Sequence, residues 1–141
     1  MPHAPSSPHD HHGRVITYTL ADGWQVFVGR TDEDNDYVSF RVARPEDWWF
    51  HVRGMPGSHV ILQGSPGAAA DRQTLTRAAA IAAYHSKARN AGVVPVSGTR
   101  ARDVTKPRGA KAGTVQIRNE RVFKVRPARG DFAGDPGKDS A

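Results

Sequence analysis

Glu46-Asp47-Trp48-Trp49-Phe50-His51-Val52-Arg53-Gly54-Met55-Pro56-Gly57-Ser58-His59-Val60-Ile61-Leu62 holds the densest aromatic run of the chain, a Gly-Met-Pro-Gly turn, and a β-branched return. Neighbouring side chains of a strand point to opposite faces. Trp48 and Phe50 therefore share one face, while Asp47, Trp49 and His51 share the other. After the turn Ser58 and Val60 share a face, and His59 goes with Ile61. If the two runs pair as a hairpin, His51 and His59 approach each other across it. One face can then be core while the other presents a ring beside an imidazole. The plain reading is that the tryptophans are core and each histidine a satisfied polar group. Two His, a Ser, an Asp and an Arg around one turn point instead to a binding site.

Working outward, Arg14 to Leu20 alternates as a strand does, Asp22-Gly23 is a hairpin turn signal, and Trp24 to Val28 is the returning strand. Gly29 to Asp36 reads as an acidic loop. Its carboxylates lack calcium-loop spacing, which favours a solvated turn over a metal site. Tyr37 to Val42 reads as a strand, and Gly64 to Ala70 as a loose loop. One helix is expected, with Thr74 as N-cap, Asn90-Ala91-Gly92 as its stop, and Leu75, Ala78, Ala79, Ala82 and Ser86 on a single stripe. Val93 to Val96 is a short strand whose Pro95 argues for a sheet edge or a strand start, and Arg102 to Thr105 adds another. Thr114–Ile117 and Val122–Val125 read as a closing hairpin. The expected fold is α+β: a mostly antiparallel sheet of about eight short strands with one main helix packed on it. The domain spans 14–128, between a His/Pro-rich tail (1–13) and a flexible C-terminal tail (129–141). In the first tail His9, Asp10, His11 and His12 are read as disordered-tail residues rather than a metal site.

Composition narrows the function classes. The 141 residues carry 20 Lys and Arg against 14 Asp and Glu, and no cysteine, which rules out disulfides, thiolate zinc and thiol catalysis. No apolar run approaches the ~20 residues of a membrane helix, so the expected location is the cytoplasm. Between Arg100 and Arg129 stand ten basic residues against Asp103 and Glu120. Within that region Lys106-Pro107-Arg108-Gly109-Ala110-Lys111-Ala112-Gly113 combines flexible backbone with spaced cations, a pattern suited to phosphate oxygens. The Walker order is absent, so nucleotide hydrolysis is not inferred. A solvated basic surface is the plain alternative.

Four blocks in order resemble the NFACT-R domain, the RNA-binding module of NFACT proteins in ribosome quality control, earlier described as fibronectin-binding proteins. They are Val28-Gly29-Arg30 with Asn35-Asp36-Tyr37; Asp47 to Val52 with Pro56 to Val60; Ala82-Ala83-Tyr84-His85-Ser86-Lys87-Ala88-Arg89; and Val104 to Gly113. Trp48 stands where the family commonly has an aliphatic residue. The resemblance implies RNA as partner, either transfer or ribosomal RNA, with the large ribosomal subunit as a setting. It makes Asn35 and Asp36 turn-shaping residues. It also makes Ser86, Lys87 and Arg89 a ligand-facing helix end. Full-length members carry further domains that do not lie within these residues, so the expectation is a free-standing domain that binds RNA and need not perform the alanine-tailing activity.

The candidate RNA-binding set is Trp49, His51, Arg53, Ser58, His59, Ser86, Lys87, Arg89, Arg102, Lys106, Arg108 and Lys111. Cations capture phosphate, and the ring and imidazoles stack on or hydrogen-bond bases. No catalytic residue, cofactor or metal ligand is expected. Two other readings stay open: an RNA-processing or RNA-modifying enzyme using Asp47, His51, Ser58 and His59, and a basic protein–protein adaptor.

Overall fold

A computed structural model describes residues 13–129. The tails expected at 1–13 and 129–141, with the His9–His12 group, lie almost wholly outside the described residues. Eight strands form: β1 (Val15–Thr19), β2 (Gln25–Gly29), β3 (Trp48–Val52), β4 (Val60–Gln63), β5 (Val94–Arg100), β6 (Val104–Thr105), β7 (Gln116–Ile117) and β8 (Arg121–Val125). Six make one sheet in the order β1-β2-β4-β3-β5-β8, and β6 and β7 make a second. Every pairing is antiparallel. The helices are α1 (Asp32–Tyr37) and α2 (Arg72–Tyr84). The architecture is the expected α+β.

The aromatic hairpin sits at the centre, with Trp48 opposite Leu62, Trp49 opposite Ile61 and Phe50 opposite Val60. Asp22 (φ 64°) and Gly23 (φ 81°) supply the positive φ values that the β1–β2 connection needs. The alternation of β3 feeds two cores, one on each face of the sheet. Trp48, Phe50 and Val52 join Leu75, Ile81 and the alanines of α2, whose small side chains let the helix lie close. Trp49, Phe27 and Ile61 join Val38 and Val104 on the other face. Since both faces are apolar, both need a cover.

That requirement corrects the reading of 29–42. The acidic stretch is α1, capped by Thr31 Oγ1, which accepts from Asp34 N at 3.1 Å. Three carboxylates in its first turn suit the positive end of the helix dipole. The expected strand at Tyr37–Val42 is instead a π-helical turn (Val38–Val42) that continues α1 across the second face. A strand could only have lengthened the sheet; this turn covers it.

Three more boundaries differ. Helix α2 is capped three residues earlier than expected, by Asp71, whose carboxylate accepts from Thr74 N at 2.8 Å. It also ends at Tyr84 rather than near Asn90. The backbone beyond it pairs with the β3–β4 turn: Ser58 N donates to His85 O at 2.9 Å, Lys87 N reaches Pro56 O, and Gly57 bridges Ser86. Strand β5 runs on to Arg100 through the interior of the sheet, so Pro95 marks a strand start and not an edge. Gly98 is required there, because a Cβ would stand 2.7 Å from the Phe123 ring and 2.8 Å from that of Phe50. The expected closing hairpin does not form: β7 pairs with β6 and β8 with β5. Thr99, buried in β5, donates to Arg118 O at 2.6 Å and separates the two.

Candidate nucleic-acid interface

Three chain segments converge at the β3–β4 turn. The first leaves β2 at Gly29. A Cβ on Gly29 would lie 2.3 Å from Asn35 Oδ1, so only glycine lets Asn35 fold back. Asn35 Oδ1 then accepts from His59 N at 3.0 Å. The second segment is the turn itself, where Ser58 Oγ donates to Gly29 O at 2.8 Å. The third is the end of α2, held against Gly57. Between them lies an open groove of about 360 Å³ lined by Arg30, Asp32, Ser58, Ser86, Lys87 and Arg89, among others. Arg30, Lys87 and Arg89 are exposed cations on separate segments, and Asp32 is the one carboxylate of the lining. The Arg89 guanidinium lies 4.5 Å from the Tyr84 ring centre, and its Nε donates to Tyr84 O.

The floor on the α1 side is a polar network. Trp49 Nε1 donates to Ser39 Oγ at 3.0 Å, which leaves the Ser39 proton for His59 Nδ1, also at 3.0 Å. With the Ser39 proton directed at Nδ1, His59 carries its own proton on Nε2. Burial pushes the His59 pKa down to about 4, helped by His51; Asp36 and the Gly113 and Asn35 carbonyls pull the other way. His51 stacks on Trp49 at 6.0 Å and meets His59 edge-on at 5.5 Å. Burial lowers its pKa as well, against hydrogen bonds to the Gly57 and Val52 backbone. His85, on the groove wall, contacts the Tyr18 hydroxyl at 2.7 Å. Burial first, then Arg89 and Arg129, bring its pKa to about 4.

The candidate residues thus separate into groups. Ser58, Ser86, Lys87 and Arg89 meet at the groove. The two hydroxyls are spent on backbone, since Ser86 Oγ donates to Ala83 O and accepts from Ala88 N. Trp49 and His59 are buried, at 2 % and 3 % exposure, which corrects the expectation that either side chain stacks on a base. They position α1 and the turn instead. Lys106 is half-buried and ties Asp36 (3.1 Å) to the Thr114 carbonyl (3.1 Å), so it acts as an internal clamp. Asp36 also accepts from Gly113 N, which sets the end of the basic loop against Asp32 beside the groove. Arg108 and Lys111 are exposed on that loop. Arg53 pairs with Glu120 at 3.4 Å, and Arg102 with Glu46 at 2.6 Å at the far end of the sheet. Among the described residues, no three or more His, Asp or Glu gather to hold a metal ion, and no helix is long and apolar enough to cross a membrane. Sequence reasoning missed Arg30, Asp32 and His85 as groove residues. The arginine that closes Val28-Gly29-Arg30 is the signal that could have found the first.

A sheet covered by two helices thus carries a cationic groove where the Pro56-Gly57-Ser58-His59 turn meets the end of α2. The chain belongs to the family of the NFACT protein RNA binding domain, whose sequence profile matches residues 14–119. It is 40 % identical over 117 residues to the Rqc2 homolog RqcH of Bacillus subtilis (strain 168), covering 83 % of this chain and 20 % of that protein. To the Rqc2 homolog RqcH of Streptococcus pneumoniae serotype 2 it is 35 % identical over 117 residues, covering 81 % of this chain and 20 % of that one. The chain therefore spans about a fifth of these relatives. Among solved structures, the C-terminal part of the fibronectin/fibrinogen-binding protein from Streptococcus suis superposes with a TM-score of 0.75 at 34 % identity, over 82 % of this chain and 46 % of that one.

Proposed function

We propose that this domain binds the backbone of structured RNA, transfer or ribosomal, in the setting of ribosome quality control on the large subunit. The observation that carries the reading is the groove: three exposed cations, Arg30, Lys87 and Arg89, delivered by separate segments around a single carboxylate. Cations spaced over a concave surface suit a chain of phosphates, and several such contacts make affinity steeply salt-dependent. Arg108 and Lys111 extend the positive surface along the adjoining loop. The network beneath contributes placement, not charge, because His51, His59 and His85 are held in their neutral forms at pH 7. The family, and the RqcH proteins it is similar to, support RNA as partner. The enzymatic reading has less support: paired histidines cleave RNA by serving as acid and base together, and burial disfavours the protonated form of both His51 and His59.

The test is fluorescence anisotropy against transfer RNA, a ribosomal RNA hairpin and duplex DNA of matched length across a salt series, with RNA integrity checked afterwards. RNA bound more tightly than DNA, with a steep salt slope and no cleavage, is the expected result. Equal weak affinity for all three would reduce the groove to a generic polyanion surface, and association that survives nuclease treatment would favour the adaptor.

A further inference from the structure

At the end of β3 and β4 remote from the groove, on the α2 face of the sheet, lies a second cavity of about 530 Å³. Its size falls within the roughly 300–1,000 Å³ of small-molecule sites. Two of the chain's three tryptophans line it, together with Leu62, Arg100 and the small-residue loop from Gly64 to Ala69. The Trp24 ring lies flat on Gly64: a Cβ there would stand 2.5 Å from the ring. The Trp48 indole carries the Arg100 guanidinium at 4.5 Å from its centre and that of Arg121 at 5.6 Å, both within cation–π range.

The charges around this cavity are unevenly committed. Glu46 is held by Arg102 at 2.6 Å. Asp47 is buried and accepts from Arg44 N and from Gln63 Nε2, each at 2.7 Å. Arg100, by contrast, has a backbone carbonyl (Glu46 O) and the Trp48 ring as partners, and Arg121 has the rings of Trp48 and Phe123. Arg44, also in the lining, is held by Asp47 and the Gly64 carbonyl, so the guanidinium without a carboxylate partner in the lining is that of Arg100, with Arg121 next to it at the Trp48 ring. An apolar peptide side chain would use the walls and leave the guanidinium groups idle. A nucleotide uses both, with its base against the indole and guanidinium planes and its phosphate on the arginines.

We propose that this cavity receives an unstacked nucleobase of the bound RNA, which would give the domain a preference for RNA with an unpaired nucleotide. The inference rests on the RNA-binding reading above and adds to it a base-reading site distinct from the phosphate groove. It also gives Trp48, whose ring carries the Arg100 guanidinium, a use besides packing.

The experiment follows the three indole N–H signals of the ¹⁵N-labelled chain during titration with a single-stranded tetranucleotide RNA and with a hairpin carrying an unpaired loop. The Trp24 and Trp48 signals are expected to move saturably. Trp49, bonded to Ser39 in the network beneath the groove, reports on the groove and is read separately from the other two. Ala69→Phe fills the cavity from an exposed loop position without touching the core. It is expected to abolish both shifts and weaken hairpin binding roughly tenfold, with the salt slope unchanged because no cation is removed. Gly64→Ala, which displaces the Trp24 ring, is expected to act in the same direction. RNA bound with a steep salt slope while Trp24 and Trp48 stay silent, or Ala69→Phe binding at full affinity, would overturn this proposal and leave the groove standing. Trp24 and Trp48 shifts that survive removal of the groove cations would separate the two in the other direction. Shifts with a proline- or aromatic-rich peptide but not with RNA would also overturn it.

Discussion

The two faces of the sheet are built from the same strands and held by different physics. On the α2 face the contacts are dry: Phe50, Val52, Val60, Leu62 and Ile81 are fully buried against alanines. On the α1 face Trp49, Phe27 and Ile61 share the space with Ser39, His59, Asn35 and the Asp36–Lys106 pair. Apolar packing is non-directional and tolerates any arrangement that fills the volume. A wired network is directional, and one missing partner strands the rest. The dry face therefore decides that the chain folds, while the wired face decides where Arg30, the Pro-Gly-Ser-His turn and the end of the basic loop stand relative to Lys87 and Arg89.

The largest effect should come from the dry face. Phe50→Ala removes a ring that packs on Phe123 at 5.6 Å and on Trp48 at 6.1 Å. It is expected to cost about 3–5 kcal/mol of stability in urea unfolding. The fraction still folded should bind RNA normally if placement belongs to the other face.

Acid should attack the wired face next. His59 has its pKa depressed from an ordinary 6.5 to about 4 in the folded chain. Between those values the unfolded chain binds more protons than the folded one. Its stabilising contribution is thus complete above pH 6.5 and falls as the pH drops towards 4, by about 3 kcal/mol at the limit. His59→Gln should remove roughly half of the slope that His59 and His85 supply together, since burial depresses His85 to about 4 as well, and His51 acts in the same direction. A pH-independent melting temperature between 7 and 4 would contradict the network.

Gly57→Ala is a smaller lesion placed where the two faces meet. The added Cβ would lie 2.9 Å from both Ser86 Cβ and Val52 Cγ1. Forcing them apart should cost about 1–3 kcal/mol and, by opening the groove, weaken RNA binding as well. Loss of stability without loss of affinity would show that the groove does not depend on that contact. The smallest effect is expected for Arg102→Ala. Its pair with Glu46 is exposed and remote from the groove, worth about 0–1 kcal/mol of stability; the salt slope set at the groove should not change.

How much of this was legible follows the same division. The β-branched and aromatic runs of Val15–Thr19, Gln25–Gly29 and Trp48–Val52 report strands, and the two-residue period of a strand says which residues share a face. The alternation of Tyr37–Val42 looks the same locally. Only the need to cover Trp49 and Ile61 turns that segment into a π-helical turn, and one strand cannot reveal what must lie over it. The end of α2 is hidden for a similar reason: its stop is the backbone of Pro56–Ser58 arriving from elsewhere. The expected strand at 93–96 stops short of Ser97-Gly98-Thr99 because the packing that keeps Gly98 in the sheet is supplied by the distant rings of Phe50 and Phe123. For the interface, residue type marked cations and imidazoles as candidates but could not separate the exposed Lys87 and Arg89 from the clamped Lys106 or the buried His59.

The most direct measurement of the central claim is the salt dependence of RNA affinity for the chain and for its Arg30→Ala/Lys87→Ala/Arg89→Ala variant. All three side chains are exposed, and Arg89 alone is bonded, to the Tyr84 carbonyl and ring, among the contacts described above, so stability should fall by no more than about 1–2 kcal/mol. Each lost phosphate contact should reduce the slope of log K against log salt by about 0.7–0.9, giving a slope shallower by about 2–3. An unchanged slope with unchanged affinity would place the RNA elsewhere on the domain and contradict the groove.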